Sequence, residues 1–305
     1  MPTSAAPLPP HPPVEMVSTS LGPVAVRRTP VSGEGPHEPA VLVHGLGGSS
    51  RDWVDLGYGL ADRLTSVALD LPGFGSTPPQ PDDTYTIARH AAVVVAVIEA
   101  LFPGQPVHLF GNSMGGLVSV QVAGQHPHLV RSLTLVSPAM PDVFPASRSA
   151  AQVPVMAVGP VGRRIYRRLG RLDPAQRVQG TLALCFADVG RVHPQRREEA
   201  VAEATRRAEL PYAGAAFTGS ATGLLTAYLK RGPNSPWALA RRVQAPTLLV
   251  YGRRDQLVNV RNSHRATRYF RDTRVMVIPD CGHVAMMEHP ELVAGGWREL
   301  LDGAG

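Results

Sequence analysis

The sequence predicts an α/β protein whose sheet is mostly parallel and is covered by helices on both faces. Three observations predict this class. Short apolar runs alternate with amphipathic stretches long enough to form helices, and each run is followed by Gly or Pro within two residues. The runs are almost continuously apolar, as expected of strands that are buried on both faces. Residues 139–240 interrupt the alternation with no convincing strand, which indicates an inserted helical segment.

The N-terminal half predicts a hairpin and then the first parallel strands. Val17–Leu21 and Val24–Arg28 flank the turn signal Gly22-Pro23, so they predict an antiparallel hairpin. Residues 1–16 are rich in proline, which predicts a disordered leader. The elements predicted next are the strands Ala40–Val43, Ser66–Leu71, Val107–Phe110 and Leu133–Val136 and the helices Thr86–Phe102 and Leu117–Gln125.

Strand patterns return after the inserted segment. Thr247–Tyr251 and Arg274–Ile278 predict two more strands, and Pro290–Leu301 predicts a closing helix. The chain is therefore divided into a leader (1–16), an α/β core (17–138 and 241–305) and an inserted helical segment (139–240).

Composition excludes several classes of protein. A chain of 305 residues, 44% of them hydrophobic, can bury a substantial core. No stretch approaches the ~18–20 consecutive apolar residues of a membrane span, and the N-terminus lacks the pattern of a signal peptide. The net charge is +6, yet few aromatic residues lie among the arginines, so we expect no nucleic-acid partner. The arginines between 163 and 171 have helical spacing and are interpreted as a solvated face.

The cysteines bear on the cellular compartment. Cys185 and Cys281 lie far apart and have no metal-ligand spacing. Two free thiols in a reducing cytosol are therefore expected, so we predict a cytoplasmic protein. Its oligomeric state is left open between monomer and homodimer.

The strongest local signal is the pentapeptide Gly111-Asn112-Ser113-Met114-Gly115, a G-x-S-x-G between a predicted strand and a predicted helix. The two glycines remove the Cβ atoms that would block a tight strand-to-helix turn. Such a turn lifts the serine above the sheet at a helix N-terminus, where free N–H groups favour a developing anion. The context therefore predicts that Ser113 is a nucleophile rather than an ordinary serine of a glycine-rich turn.

Two further residues, Asp255 and His283, complete a candidate catalytic triad with Ser113. A serine hydroxyl needs a base that a third group orients. Asp255 and His283 each follow one of the last two predicted strands, so they lie at the same sheet edge as Ser113. Open α/β sheets place their sites at that edge. The chain order Ser, Asp, His also agrees with a nucleophile of this kind.

The oxyanion of an acyl-transfer reaction needs two preorganised N–H donors. Met114, directly after the candidate nucleophile, would supply one of them. The glycine-rich loop after Ala40–Val43 would supply the other. We assign this donor to Leu46, with Gly47 as second choice. The alternative is an ordinary βα turn that happens to be rich in glycine.

These motifs together resemble the α/β-hydrolase superfamily in its capped, esterase-like branch. The motifs that carry the resemblance are VLVHGLGGS, ALDLPGFGST, GNSMGG, YGRRDQLV and IPDCGHVAMMEHP, which occur in family order between Ala40 and Pro290. The resemblance implies an eight-stranded, mostly parallel sheet with a helical cap, formed after Val136, over the active site. It also implies that Asp70 is a structural turn residue rather than the triad acid.

The residue type at the nucleophile position narrows the chemistry. Epoxide hydrolases and haloalkane dehalogenases of this superfamily carry Asp there, whereas Ser113 is typical of its esterases, thioesterases, lipases and C–C hydrolases. We expect cleavage of an ester or thioester of a small to medium hydrophobic substrate through an acyl-enzyme, with no metal or cofactor.

Two alternatives stay open. GNSMGG and DLPGFG also resemble hydrolases of meta-ring-fission products, which cleave a C–C bond. Those proteins usually carry Trp after the catalytic His, where this chain has Val284. The other alternative is a ligand-binding protein of this fold that keeps the triad but barely turns over.

Pocket residues are predicted around the candidate nucleophile. Asn112 and Val284 adjoin triad residues, Gly45 and Gly47 lie in the oxyanion loop, and Trp53 lies just behind it. Packing is an equal expectation for Trp53. The cap is apolar enough to accept a hydrophobic acyl or alkyl chain.

Overall fold

Eight strands form one sheet in the computed structural model, which describes residues 7–80, 82, 84–142, 146–147, 155, 157 and 159–303. The strands are β1 (Val14–Thr19), β2 (Gly22–Arg28), β3 (Glu38–Val43), β4 (Leu64–Leu69), β5 (Val107–Asn112), β6 (Val130–Val136), β7 (Thr247–Gly252) and β8 (Thr273–Ile278). Their order is β1-β2-β4-β3-β5-β6-β7-β8. Strand β2 is antiparallel to both neighbours, and the remaining pairs are parallel. The predicted sheet is confirmed.

Helices cover both faces of this sheet. The α-helices of the described residues are α1 (Val54–Gly59), α2 (Ile87–Leu101), α3 (Ser113–Gln125), α4 (Gly159–Gly170), α5 (Pro174–Cys185), α6 (Pro194–Ala208), α7 (Ala213–Leu229), α8 (Pro236–Ala240), α9 (Asn262–Ala266), α10 (Ala285–Glu288) and α11 (Pro290–Asp302). Val41 and Leu109 belong to one apolar cluster, whereas Leu42 and Phe110 belong to another. Because successive strand residues point to opposite faces, the sheet is buried on both sides.

Strand register brings the candidate site residues to one edge. Val43 at the end of β3 is paired with Gly111 of β5, so the loops after these strands begin side by side. Gly252 of β7 is paired with Ile278 of β8, which likewise brings the next two loops together. The chain runs from β3 outward to β4 and then returns to β5 on the other side of β3. This reversal creates the crevice in which open α/β sheets bind ligands.

Part of the predicted leader is ordered, although the sequence predicts disorder up to residue 16. Residues 1–6 lie outside the described residues, but the following segment is bound along α6, and β1 begins at Val14. The Arg196 guanidinium donates to the carbonyl of Pro9 at 2.8 Å, and the His11 ring lies 2.6 Å from the carboxylate of Glu199. Proline-rich backbone has no internal hydrogen bonds, so its carbonyls are available to such donors.

The predicted hairpin is present, but its turn lies earlier than the Gly22-Pro23 signal. Strand β1 ends at Thr19 and is paired with Gly22, the first residue of β2. The Thr19 hydroxyl accepts the N–H of Leu21 at 3.1 Å and donates to the Gly22 carbonyl at 2.7 Å. Gly22 has a φ of 103°, which a residue with a side chain would adopt only under strain. The glycine therefore closes the turn instead of opening it.

The inserted segment lies between β6 and β7 and contributes the helices α4 to α7. Much of 143–158 lies outside the described residues. Helix α8, at the end of the range predicted for the cap, packs instead on α3 of the core. A Cβ on Gly124 would lie only 2.7 Å from the carbonyl oxygen of Leu239, so a glycine permits this contact. No helix within the described ranges has both the length and the apolar character needed to traverse a bilayer.

Candidate active site

The turn between β5 and α3 holds Ser113 in an unusual conformation. Its φ of 53° lies in the left-handed region, which costs a residue with a side chain about 1–3 kcal/mol. A Cβ on Gly111 would lie 2.5 Å from the carbonyl oxygen of Gly115, and one on Gly115 would lie 2.3 Å from that of Val43. Both glycines are therefore required for the turn. Ser113 and Met114 occupy the first turn of α3, where backbone N–H groups have no intrahelical partner.

His283 and Asp255 form a buried pair at the same sheet edge. Nδ1 of His283 lies 2.8 Å from Oδ2 of Asp255, while Oδ1 accepts the N–H groups of Leu257 at 2.7 Å and Val258 at 3.0 Å. Burial alone would raise the pKa of Asp255, but His283 and these N–H groups together hold that pKa below its ordinary value. The ionised carboxylate keeps a proton on Nδ1, which leaves Nε2 of His283 as an acceptor.

Asn112 connects the nucleophile turn to the histidine loop. Its Nδ2 donates to the carbonyl of His283 and to that of Val136, each at 3.1 Å. The residue preceding Ser113 is therefore tied to the backbone of the candidate base. Asn112 is buried, and both its amide protons are engaged in these hydrogen bonds.

The loop after β3 lies against the nucleophile turn. A Cβ on Gly45 would lie 3.1 Å from Cβ of Ser113. Nε2 of the buried His44 accepts the N–H of Leu71 at 3.0 Å, so Nδ1 carries the proton and donates to the Gly45 carbonyl at 2.7 Å. This carbonyl and the N–H of Leu46 belong to one planar trans peptide, in which they point in opposite directions. His44 thus fixes the direction of the Leu46 N–H. Apart from its place in the loop, no sequence signal points to this role.

The other predicted pocket residues differ in their surroundings. A Cβ on Gly47, whose φ is 79°, would lie 3.1 Å from the ring of Phe217 in the cap helix α7. Trp53 is only 1% exposed and packs edge-on against Phe110, with ring centroids 6.4 Å apart. Val284 is buried in the same apolar cluster as Trp53. Gly47 therefore borders the cap, whereas the other two contribute to packing.

Asp70 has the structural surroundings that the resemblance implies. Its Oδ1 accepts the N–H of Ser50 at 2.6 Å, and its Oδ2 accepts the N–H of Ser76 at 2.8 Å. The hydroxyl of Thr77 donates to its backbone carbonyl at 2.7 Å. Both carboxylate oxygens are thus used to hold the turn after β4 against the loop after β3.

The inserted segment, which is the predicted cap, contacts the histidine loop directly, and Glu288 is central to this contact. The N–H of His283 donates to the carbonyl of Cys185, at the end of α5, at 2.6 Å. The buried carboxylate of Glu288 accepts the N–H of Gly282 at 2.7 Å and that of the cap residue Ala187 at 3.0 Å. Sequence reasoning missed Glu288 because its partner in the cap lies 101 residues away along the chain.

Both cysteines are free thiols. Burial raises the pKa of Cys185 to about 12. Burial and the neighbouring carboxylate of Glu288 also raise the pKa of Cys281, so neither thiol is activated as a nucleophile. Among the residues that the structure describes, no group of three or more His, Cys, Asp or Glu side chains is arranged to hold a metal ion.

Asp52, beside the loop after β3, is a partly buried acid that no prediction anticipated. Its Oδ2 accepts the N–H of Ser49 at 3.2 Å. Burial raises its pKa from 3.8 to about 7, although the Ser49 N–H and the charge of Arg207 act in the opposite direction. Between about pH 4 and pH 7, the folded protein therefore keeps a proton on Asp52 that the unfolded chain has already lost.

We expect Asp52→Asn to reduce the pH dependence of stability. Across that window the folded state binds more protons at this site, so the free energy of unfolding of the wild type decreases as pH rises. The variant has no carboxyl group to ionise at this site, so it does not lose stability in this way. At about pH 8 it should be the more stable protein, by on the order of 3 kcal/mol. Urea unfolding at about pH 5 and about pH 8 measures the difference. Asp55→Asn, which removes a carboxylate paired with Arg196 on the same short helical stretch, is the control. Identical pH slopes for wild type and Asp52→Asn would contradict the assignment.

Comparison with known proteins agrees with this fold. A family model described as alpha/beta hydrolase fold matches residues 39–290. The chain is 29% identical to 2-hydroxy-6-oxo-6-(2'-aminophenyl)hexa-2,4-dienoic acid hydrolase of Metapseudomonas resinovorans, covering 88% of this chain and 85% of that protein. It is 28% identical to pimeloyl-[acyl-carrier protein] methyl ester esterase of Aeromonas hydrophila, covering 85% and 92%. The solved 2-hydroxy-6-oxo-6-phenylhexa-2,4-dienoate hydrolase of Rhodococcus sp. strain RHA1 superimposes with a TM-score of 0.74 at 22% identity, covering 95% and 100%.

Proposed function

Because the chain belongs to the α/β-hydrolase fold family, we propose that it is a serine hydrolase that cleaves carboxylic esters or thioesters of small to medium hydrophobic substrates. The observation that carries this proposal is the buried pair of His283 and Asp255, placed at the sheet edge where Ser113 stands on a strained turn. The free thiols Cys185 and Cys281 support a reducing, cytoplasmic setting.

In the first step, Ser113 attacks the acyl carbonyl carbon while Nε2 of His283 takes the hydroxyl proton. Asp255 holds the imidazole in the required tautomer and stabilises the imidazolium that forms. The carbonyl oxygen becomes an oxyanion, which accepts hydrogen bonds from the N–H groups of Leu46 and Met114. The imidazolium then protonates the leaving alcohol or thiol as the bond to the acyl carbon breaks, and Ser113 is left acylated.

The second step repeats this chemistry with water as the nucleophile. His283 removes a proton from water, the resulting hydroxide attacks the acyl-enzyme, and the same two N–H groups stabilise the oxyanion. When the intermediate collapses, the proton returns from His283 to the oxygen of Ser113 and the acid leaves. The protein's own groups provide every proton transfer and charge stabilisation of the cycle.

A C–C hydrolase is the second candidate, and one relative favours it. The Metapseudomonas protein is named as a hydrolase of a hexadienoic acid, whereas the Aeromonas protein is named as a methyl ester esterase. Val284, which follows the candidate base, is buried in the apolar cluster and lacks the indole that C–C hydrolases of the superfamily usually carry there. This difference favours ester cleavage.

Turnover of p-nitrophenyl esters of graded acyl length tests the choice between the two reactions. We expect kcat/KM to rise about fourfold for each added methylene while the chain fills an apolar pocket, and then to fall. A vinylogous diketone of the ring-fission type serves as the competing substrate. Efficient cleavage of that diketone by a protein with negligible esterase activity would replace the ester proposal by the C–C alternative.

A further inference from the structure

One helix of the cap carries a concentrated positive charge on its exposed side. Helix α4 and the two residues after it contain five arginines, all exposed: Arg163, Arg164, Arg167, Arg168 and Arg171. The same stretch, 159–172, contains no Asp or Glu. Within the described ranges, no carboxylate forms an ion pair with any of the five. The charge of this face is therefore not compensated by the rest of the described chain.

Apolar side chains lie exposed beside these arginines. Val161 and Leu169 are each 47% exposed, and Leu172 is 45% exposed. At 3.6 residues per turn, Val161 and Leu169 lie about 80° apart on the helix, and its four arginines occupy the neighbouring arc of about 140°. Arg171 and Leu172 follow directly after the helix. Both arcs face solvent, so the helix presents an apolar stripe bordered by cations.

The opposite side of the helix is packed against the rest of the cap. The Tyr166 ring lies 5.4 Å from that of Phe217 on α7, and a Cβ on Gly214 would lie 3.1 Å from Tyr166. Phe217 in turn contacts the oxyanion loop at Gly47. Two aromatic rings therefore connect the cationic helix to the loop beside Ser113.

We propose that this face of α4 docks the protein on a lipid surface rich in anionic headgroups. Arginine fits phosphate geometry through its planar fork of N–H donors, and a helix with a cationic face and an apolar stripe is typical of segments that lie in the membrane interface. Clusters of four to eight basic residues on such a helix recognise anionic lipids. A single-stranded nucleic acid would need aromatic side chains for stacking, but Tyr166 points inward. Duplex DNA is bound through its phosphates and offers no apolar layer that would cover the exposed Val161 and Leu169. This docking goes beyond the proposed function and holds whichever bond the enzyme cleaves.

Flotation with lipid vesicles tests the proposal without any measurement of activity. The intact protein should bind vesicles of phosphatidylcholine containing roughly one third phosphatidylglycerol, and should not bind vesicles of phosphatidylcholine alone. Binding should weaken as salt is raised, because the headgroup attraction is screened. The double variant Arg164→Gln/Arg168→Gln should bind about 25-fold more weakly, at about fivefold per arginine. Leu169→Ser should also weaken binding, because it removes an apolar side chain from the stripe.

A matched control separates this face from the general positive charge of the protein. Arg268→Gln/Arg271→Gln removes the same charge from exposed positions of the core and should bind as the wild type does. Thermal unfolding of each variant checks that it is folded. Equal losses in the two double variants, or equal binding to neutral vesicles, would overturn the proposal. Binding of duplex DNA by a protein that fails to bind either vesicle would identify the face as a nucleic-acid surface instead.

Discussion

Ser113→Ala is expected to lower kcat/KM for a p-nitrophenyl ester by about 10⁶-fold, to a residual rate that still exceeds the uncatalysed one. The variant keeps the turn, since alanine differs from serine only by the hydroxyl, and Gly111 and Gly115 still provide the space that the turn requires. It removes the only atom that can form the acyl-enzyme in the proposed mechanism. The oxyanion donors and the pair of His283 and Asp255 remain, so any residual rate measures what they contribute without a nucleophile.

Ser119→Ala is the matched control for this variant. Ser119 lies on the same helix and is buried, and its hydroxyl donates to the Gly115 carbonyl at 2.8 Å. Its loss should leave kcat/KM within a few fold of wild type. A fluorophosphonate probe should add mass to the wild type and to Ser119→Ala, but not to Ser113→Ala. If folded wild type is not labelled, the protein is better explained as a binding member of the family; if Ser113→Ala turns over normally, the nucleophile is wrongly assigned.

The sheet was predictable because its strands obey a simple rule. Strands buried on both faces read as nearly continuous apolar runs. Val107–Phe110 and Thr247–Tyr251 have this pattern, interrupted only by the polar residues His108 and Thr247. Both lie within observed strands. The hairpin turn was misplaced because the Thr19 hydroxyl closes it through local hydrogen bonds, and a Gly-Pro pair does not reveal that competition.

The candidate site was predictable only in part, for a related reason. Ser113 and His283 follow strands, so their position along the chain fixes the sheet edge on which they lie. The roles of His44 and Glu288 depend on contacts with segments that are distant in sequence, at Leu71 and Ala187. No local pattern encodes such contacts. The contacts of residues 8–11 were missed similarly, because they depend on side chains of α6 rather than on the composition of the leader.

Asp255→Asn is expected to lower kcat by about 10⁴-fold near neutral pH, with a much smaller effect on stability. The amide oxygen can still accept the N–H groups of Leu257 and Val258, which hold Oδ1 in the wild type. The amide nitrogen then faces Nδ1 of His283 and must donate to it. The imidazole proton consequently moves to Nε2, the atom that has to accept the proton of Ser113. The base is thus held in the wrong tautomer in an intact site.

Asp70→Asn provides the contrast that identifies Asp255 as the catalytic acid. Both oxygens of Asp70 accept backbone N–H groups. The side chain of asparagine has only one acceptor oxygen, so one of these two hydrogen bonds is lost. This variant should lose about 1–3 kcal/mol of unfolding free energy but keep kcat within a few fold of wild type below its melting transition. Urea unfolding and steady-state kinetics on both variants measure the two effects separately. Because Asp255→Asn is expected to affect kcat and Asp70→Asn to affect stability, the reverse pattern would show that the acid follows β4 rather than β7.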